Sequence, residues 1–350
     1  MYDAVADLPL TVESVELERV ERETPAFARA TTIVTFRGDG ETGRGEDVTY
    51  EMDHHDALEA WWDERGDDAF DLAGEYTFAE FSQALDDTDL WPTGGPERDD
   101  FRDYRRWGFE AAALDLALRQ TDATLADRLD RSLDPVRFVV SSRLPEGDTS
   151  RMETLFERYP GAELKVDPTA DWPGETFDYL ADTEAVRILD LKGRYEGPDV
   201  DQSPDPRLYE RVFETFPDAV VEDPALDEAT TPIVEEHTDR VSWDAPIHGM
   251  DDVRGLPFEP DWLNVKPSRF GTVESLLETI EWALDEDVSL YGGGQFELSV
   301  GRGQIQELAS VFYADGPNDV APGAYNDADL PERLPKSPIS VPEDHSGFGF

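Results

Sequence analysis

The 350-residue sequence contains no cysteine, which excludes disulfides, thiolate nucleophiles and cysteine-ligated zinc. Positive charge is scarce. Thirty Lys and Arg residues face 81 Asp and Glu, for a formal net charge of -51, so nucleic acid, which needs a basic face, is not an expected partner. No apolar run approaches the roughly eighteen residues of a membrane-spanning helix. The opening "MYDAVADLPL" lacks the basic and apolar regions of a signal peptide. A soluble, cytoplasmic protein without a membrane partner is the expectation. Lysine is the scarcest cation: it occurs at positions 165, 192, 266 and 336 only, and every other basic residue is arginine.

Hydrophobic residues at 39% and aromatics at 11% speak for a packed core rather than disorder. The acids are spread along the whole chain, which reads as a solvated coat and not as a trap for basic partners. Dense carboxylate with little lysine resembles adaptation to a salt-rich cytoplasm, where ionic strength screens self-repulsion. The length suits one large domain with an appendage, or two domains.

Residues 11–52 alternate in strand fashion through "VESVELERV", "ATTIVTFRG" and "DVTYEMD". The glycine-rich "RGDGETGRGED" lies between the second and third, as for a long hairpin loop in a small antiparallel meander. Helical patterns follow, the clearest being "FRDYRRWGFEAAALDLALRQ" at 101–120. Residues 1–132 thus read as an α+β unit. Beyond it short apolar runs recur roughly every two dozen residues: "VRFVVSS", "AELKVDP", "VRILDLKG", "AVVEDP", "RVSWDAP", "WLNVKPS" and "VSLYGGG". Between two of them, "TVESLLETIEWALDED" puts Val273, Leu276, Leu277, Ile280 and Leu284 on one helical face behind Thr272 as N-cap. Another helix is expected to start with Ser203 as cap and Pro204 in the first turn. Seven strand-led units argue for a parallel (β/α) barrel. The rival, an open doubly wound sheet, lacks a G-x-G-x-x-G after its first strand.

In a barrel the C-terminal strand ends line the active site. They carry Lys165 with Asp167, Asp190 with Lys192, Glu222 with Asp223, Asp244, and Lys266. Strands buried on both faces do not end in charge unless the charge has a partner. Asp190, Glu222 and Asp244 on successive strands would repel one another. A divalent cation resolves that conflict, and an all-oxygen set favours Mg²⁺; a plainer arrangement gives each acid its own base. Three of the four lysines fall at these ends. Arginine is a fixed cation, whereas a lysine can titrate once its pKa is lowered from about 10.4 by some two to three units. The plainer role for these lysines is a charge network with the neighbouring acids. After the last strand, Gly292, Gly293 and Gly294 would let backbone approach a ligand, with Gln295 or Glu297 binding its polar end, or else they form a tight turn. No P-loop lysine follows. Arg269 would neutralise a distal substrate carboxylate or bridge to surface acids. His248, just past the fifth strand, reads as a structural or solvated loop residue.

Together "ELKVD", "ILDLKG", "VEDP", "WDAP" and "VKPSRFG" resemble the enolase superfamily, in the muconate-lactonizing branch of its mandelate racemase family. The resemblance implies a (β/α)7β TIM-like barrel over 133–321 under an α+β capping domain, 1–132 completed by 322–350. It implies Mg²⁺ on Asp190, Glu222 and Asp244, and Lys165 and Lys266 as an acid/base pair on opposite sides of the α-carbon of a small carboxylate substrate. The chemistry implied is abstraction of the α-proton through an enediolate, as in cycloisomerases, epimerases and succinylbenzoate synthase-like lyases. Two positions depart from the pattern and become candidate substrate contacts: Glu163 replaces the first lysine of K-x-K, and Lys192 replaces the amide of D-x-N. The loop Gly38–Glu46 would act as a lid. The seventh strand has no histidine, which argues against an acid-sugar dehydratase. A Schiff-base aldolase and a non-catalytic barrel compete with this chemistry, and a homo-oligomer is a family-level expectation.

Overall fold

The computed structural model describes residues 1–24, 27–66, 69–195 and 201–350. Five strands belong to the N-terminal part: β1 (Pro9–Val12), β2 (Ser14–Glu23), β3 (Ala28–Gly38), β4 (Glu41–Asp47) and β5 (Gly74–Thr77). β2, β3 and β4 form an antiparallel meander, and β1 pairs antiparallel with β5.

The meander departs from its sequence reading. Its third strand is the glycine-rich "ETGRGED" itself, and the turn is only Asp39–Gly40, both at positive φ (51° and 81°). "DVTYEMD" instead leads into the helix Met52–Arg65. The glycines serve packing. A Cβ on Gly43 would overlap the Ala112 carbonyl oxygen, and one on Gly45 would overlap that of Gly108. Glycine therefore lets β4 lie directly on the helix Asp100–Gln120, whose Gly108 and Ala112 are small for the same reason. Gly38–Glu46 is thus the end of β3, its tight turn and most of β4, a paired hairpin and not a free loop that could act as a lid. Its last residue, Glu46, is buried and accepts hydrogen bonds from Leu298 N (2.7 Å), Ser299 N (3.0 Å) and Gly301 N (2.9 Å), at the start of the helix Val300–Phe312.

The rest of the chain builds a parallel sheet of seven strands in sequential order: β6 (Val140–Ser142), β7 (Leu164–Val166), β8 (Val186–Asp190), β9 (Val220–Glu222), β10 (Val241–Trp243), β11 (Trp262–Val265) and β12 (Ser289–Gly292). The sheet curls until a short segment joins its two edges. Val139 N donates to Asn318 O (2.8 Å), and Asp319 N donates to Gly292 O (2.7 Å). Where the resemblance asks for an eighth strand, the chain supplies a single bridged residue, Asn318. Thr272 caps the helix Val273–Asp285 as its sequence suggests, accepting from Ser275 N. The helix Pro206–Thr215 starts later than expected. Its cap is Asp205, which accepts from Arg207 N and Leu208 N, so the second of two Ser/Asp-Pro pairs prevails over Ser203–Pro204.

The C-terminal tail stitches the two parts together. Phe348 N donates to Asp115 on the Asp100–Gln120 helix (2.8 Å), and Phe350 N donates to Gly303 O on the Val300–Phe312 helix (3.2 Å). Among the described residues no helix is long and apolar enough to cross a membrane.

Candidate metal and proton-transfer site

Register brings the acids together. Asp190, the last residue of β8, pairs with Glu222, the last residue of β9, and Glu222 pairs with Ser242 in β10, two residues before Asp244. All three acids are fully buried, and one oxygen from each lies within 4.8 Å of the others. Two of the turns that follow use non-glycine residues at positive φ, Lys192 (53°) and Asp223 (50°). Each costs on the order of 1 kcal/mol. Asp223 offsets this by accepting from Asp244 N (2.9 Å) and Ala245 N (2.8 Å), which fixes the start of the next turn.

The three strand-end lysines reach these acids. Lys165 Nζ lies 2.5 Å from Glu222 Oε1 and 3.3 Å from Asp190 Oδ2. Lys192 Nζ pairs closely with Asp190 Oδ2, and Lys266 Nζ lies 2.8 Å from Asp244 Oδ2. In strand order β7, which contains Lys165, and β11, which ends one residue before Lys266, flank β8, β9 and β10, which carry Asp190 and Glu222 and lead into Asp244. Lys165 thus meets the triad at Glu222 and Asp190, and Lys266 meets it at Asp244. The fourth lysine, Lys336, lies elsewhere, near Tyr159.

Burial alone would lower the pKa of Lys165, but Glu222 and Asp190 overturn this and raise it well above the ordinary lysine value. Burial likewise opposes the Asp190 carboxylate, yet Lys192 and Lys165 hold it well below the usual range. Burial pushes Glu222 well up; Lys165 counters this, and the nearby Asp190 and Asp244 reinforce it. Burial, Asp244 and Asp190 also push Asp223 up to about 7.

These residues fit a hard divalent cation. Every donor is a carboxylate oxygen, and the difficulty of ionising Glu222 is what such a charge would relieve. Asp244 Oδ1 is buried and accepts no hydrogen bond, although Arg269 Nη1 lies 2.9 Å from it as an ion-pair partner.

Not every residue singled out from sequence joins the site. Glu163 turns away and is held by Arg137 (2.6 Å) and Arg187 (2.7 Å). It stands just before the first paired residue of β7, beside a register shift between Leu164 and Lys165, so strand alternation does not carry it to the face of Lys165. Arg269 meets neither surface acids nor an open space. It is buried, with Nη1 lying 2.9 Å from Asp244 Oδ1 and also bonded to the Asp244 carbonyl. It positions Asp244. Gln295 and Glu297 are buried in the loop after β12. Gln295 accepts from Tyr50 Oη (2.8 Å), and Glu297 accepts from Gln295 N (2.7 Å). Gly293 is required for close approach, but to the site itself: a Cβ there would lie 2.8 Å from Lys266 Cε and 2.7 Å from Asn264 Oδ1. His248 is a loop residue whose Nδ1 lies 3.2 Å from Arg269 O.

Four neighbours were not read from the sequence. Asn264 Nδ2 donates to Glu222 Oε2 (3.0 Å), and Tyr291 Oη donates to the same oxygen while lying 2.7 Å from Ser242 Oγ. Tyr195 Oη donates to Asp244 Oδ2 (2.6 Å), and Asp319 Oδ2 lies 3.8 Å from Lys165 Nζ. Asn264 was legible, because it stands two residues before Lys266 on β11 and so shares its face. Tyr195 reaches in from a loop, where no periodicity marks it.

Family models described as the N-terminal and C-terminal domains of a domain of unknown function, DUF8230, match residues 3–128 and 132–327. The chain belongs to the DUF8230 family. No curated protein matches the sequence of this DUF8230 member. Its fold resembles muconate lactonizing enzyme from Pseudomonas putida, with TM-score 0.63 and 17% identity over 89% of this chain and 88% of that one. It also resembles a dipeptide epimerase from Methylococcus capsulatus complexed with Mg ion, with TM-score 0.65 and 17% identity over 87% and 88%. A third similar structure is an enolase superfamily member from Listeria innocua, with TM-score 0.63 and 15% identity over 89% and 86%. The DUF8230 chain thus shares the enolase superfamily fold.

Proposed function

We propose that this protein is a Mg²⁺-dependent enzyme that removes the proton α to a carboxylate, in the manner of the muconate-lactonizing branch: an isomerase (cycloisomerase or epimerase) or a dehydrating lyase. The observation that carries this reading is the pair of buried lysines, Lys165 and Lys266, each bonded to a different member of a buried three-carboxylate cluster. Asp190, Glu222 and Asp244 would hold the ion, which supplies a Lewis acid for the substrate carboxylate and offsets the charge that develops as the α-proton leaves. One lysine, neutral at that moment, takes the proton onto Nζ. The other, across the α-carbon, returns a proton to the opposite face or remains an ammonium and stabilises the developing negative charge. The acids that hold Lys165 protonated are the ones assigned to the ion. Once their charge is directed there, less of it holds the proton. A Schiff-base role fits less well, because it requires no triad of acids around the amine.

In deuterated solvent the Mg²⁺-loaded protein is expected to exchange the α-proton of at least one muconate, succinylbenzoate precursor, dipeptide or N-acylamino acid. EDTA should abolish the exchange and added Mg²⁺ restore it, and exchange that persists in EDTA would sink the reading. We further propose that the acidic coat suits a salt-rich cytoplasm. Self-repulsion at a net charge of -51 is screened over about 10 Å at 0.1 M salt and about 3 Å at 1 M. The melting temperature should accordingly rise between about 0.1 M and 1 M KCl; a salt-independent melt would refute that adaptation.

A further inference from the structure

The loop that leaves β12 over Lys266 carries a second feature that folding does not account for. Phe296 is 37% exposed, the only large apolar side chain so exposed among the described residues, on a chain otherwise coated in carboxylate. Its backbone is left-handed, with φ 57°, a region that suits glycine or asparagine and strains a bulky residue. Gln295 is clamped through its carbonyl by Arg29 Nη2 (3.0 Å) and through its side chain by Tyr50 Oη (2.8 Å) and Tyr104 Oη (3.3 Å).

Phe296 does not stand alone. Phe27, from the connection between β2 and β3, meets it edge-on with ring centroids 5.2 Å apart. Tyr50 lies 6.3 Å from Phe27, and Tyr104 lies 6.5 Å from Tyr50. The row begins three residues after Gly293, whose missing side chain makes room for Lys266. The buried arginines Arg29 and Arg269 are already partnered: Arg29 bonds the carbonyls of Val48, Thr49 and Gln295, and Arg269 pairs with Asp244.

We propose that Phe27 and Phe296 form an apolar wall at the mouth of the site, selecting carboxylates whose distal group is aromatic or bulky and apolar. This rests on the proton-abstraction reading for the position of the carboxylate, and adds what the other end of the substrate is. An aromatic ring packing against two such edges is worth about tenfold in affinity.

The test is calorimetric, on the Mg²⁺-loaded full chain, with two matched pairs of probes: N-acetylphenylalanine against N-acetylalanine, and phenylsuccinate against methylsuccinate. The wild type is expected to bind the aryl member of at least one pair about tenfold more tightly. Phe296→Gly and Phe27→Ala should each reduce that ratio at least threefold, with Mg²⁺ binding retained as the check on folding. Phe296→Gly carries its own control: relief of the left-handed strain should leave the melting temperature unchanged or higher while selectivity falls. Equal affinity within both pairs, no binding of either aryl probe, or a ratio unmoved by the substitutions would overturn the wall. So would a Phe296→Gly variant that changes only the sedimentation coefficient, which would mark a contact between copies of the chain. Aryl preference without Mg²⁺-dependent exchange would leave the wall standing and remove the proton-abstraction reading; exchange without preference would do the reverse.

Discussion

Replacing Lys266 with arginine is expected to lower α-proton exchange by about 10²- to 10⁴-fold, the usual contribution of a positioned acid or base, although the positive charge is kept. Arginine stays protonated at every accessible pH, so it can stabilise charge but cannot take a proton. The chain uses arginine nearly everywhere else and keeps lysine at three strand ends. Lys266 Nζ bonds Asp244 Oδ2 (2.8 Å), and Gly293 is packed against its stem, so the amine is held in one place. Lys165→Arg should behave alike, and the two variants together sort the roles. With an epimerisable substrate, each should block exchange from one enantiomer while sparing partial exchange from the other. If Lys266→Arg exchanged both enantiomers at the wild-type rate with Mg²⁺ bound, Lys266 would be an electrostatic partner only.

The acids and lysines of the site were legible in the sequence because they break a rule. Apolar runs buried on both faces ended in charge, acids recurred on three neighbouring strands, and the rare cation of the chain recurred at matching positions, where Lys165, Lys192 and Lys266 give each acid its own base. What was not legible depends on contacts distant in sequence. The glycines of "ETGRGED" look like a loop until the Asp100–Gln120 helix lies against them. Glu163 looks like a neighbour of Lys165 until the register shift and the paired arginines Arg137 and Arg187 draw it away. Arg269 looks like a ligand hook until its partner proves to be Asp244. Tyr195 and Asp319 come from irregular segments that carry no period, and the eighth strand shrinks to one bridged residue, too short for any pattern to mark.

The acid triad predicts a contrast between losing the metal and losing a ligand. In EDTA the wild type should lose exchange activity yet stay folded, because Lys165, Lys192 and Lys266 already lie against the three carboxylates as counter-ions. Asp190→Asn should do worse. Lys192 keeps only Asp167 (3.8 Å), and Lys165 keeps Glu222 and the more distant Asp319 (3.8 Å). Breaking a buried pair by removing one partner costs about 3–5 kcal/mol, so this variant should melt below the wild type with or without Mg²⁺ and show no Mg²⁺-dependent shift. Lys165→Met reverses the sign. It leaves the carboxylates crowded and short of positive charge, so in EDTA its melt should fall furthest. Mg²⁺ at about a hundred times the wild-type dissociation constant, where mass action gives the wild type about 2.7 kcal/mol, should then recover more than that. Thermal melts of the three proteins with and without Mg²⁺ decide the matter: if Lys165→Met gained no more from Mg²⁺ than the wild type, the lysine and the ion would not share the same carboxylates, and the assignment of this cluster as a metal centre would fall.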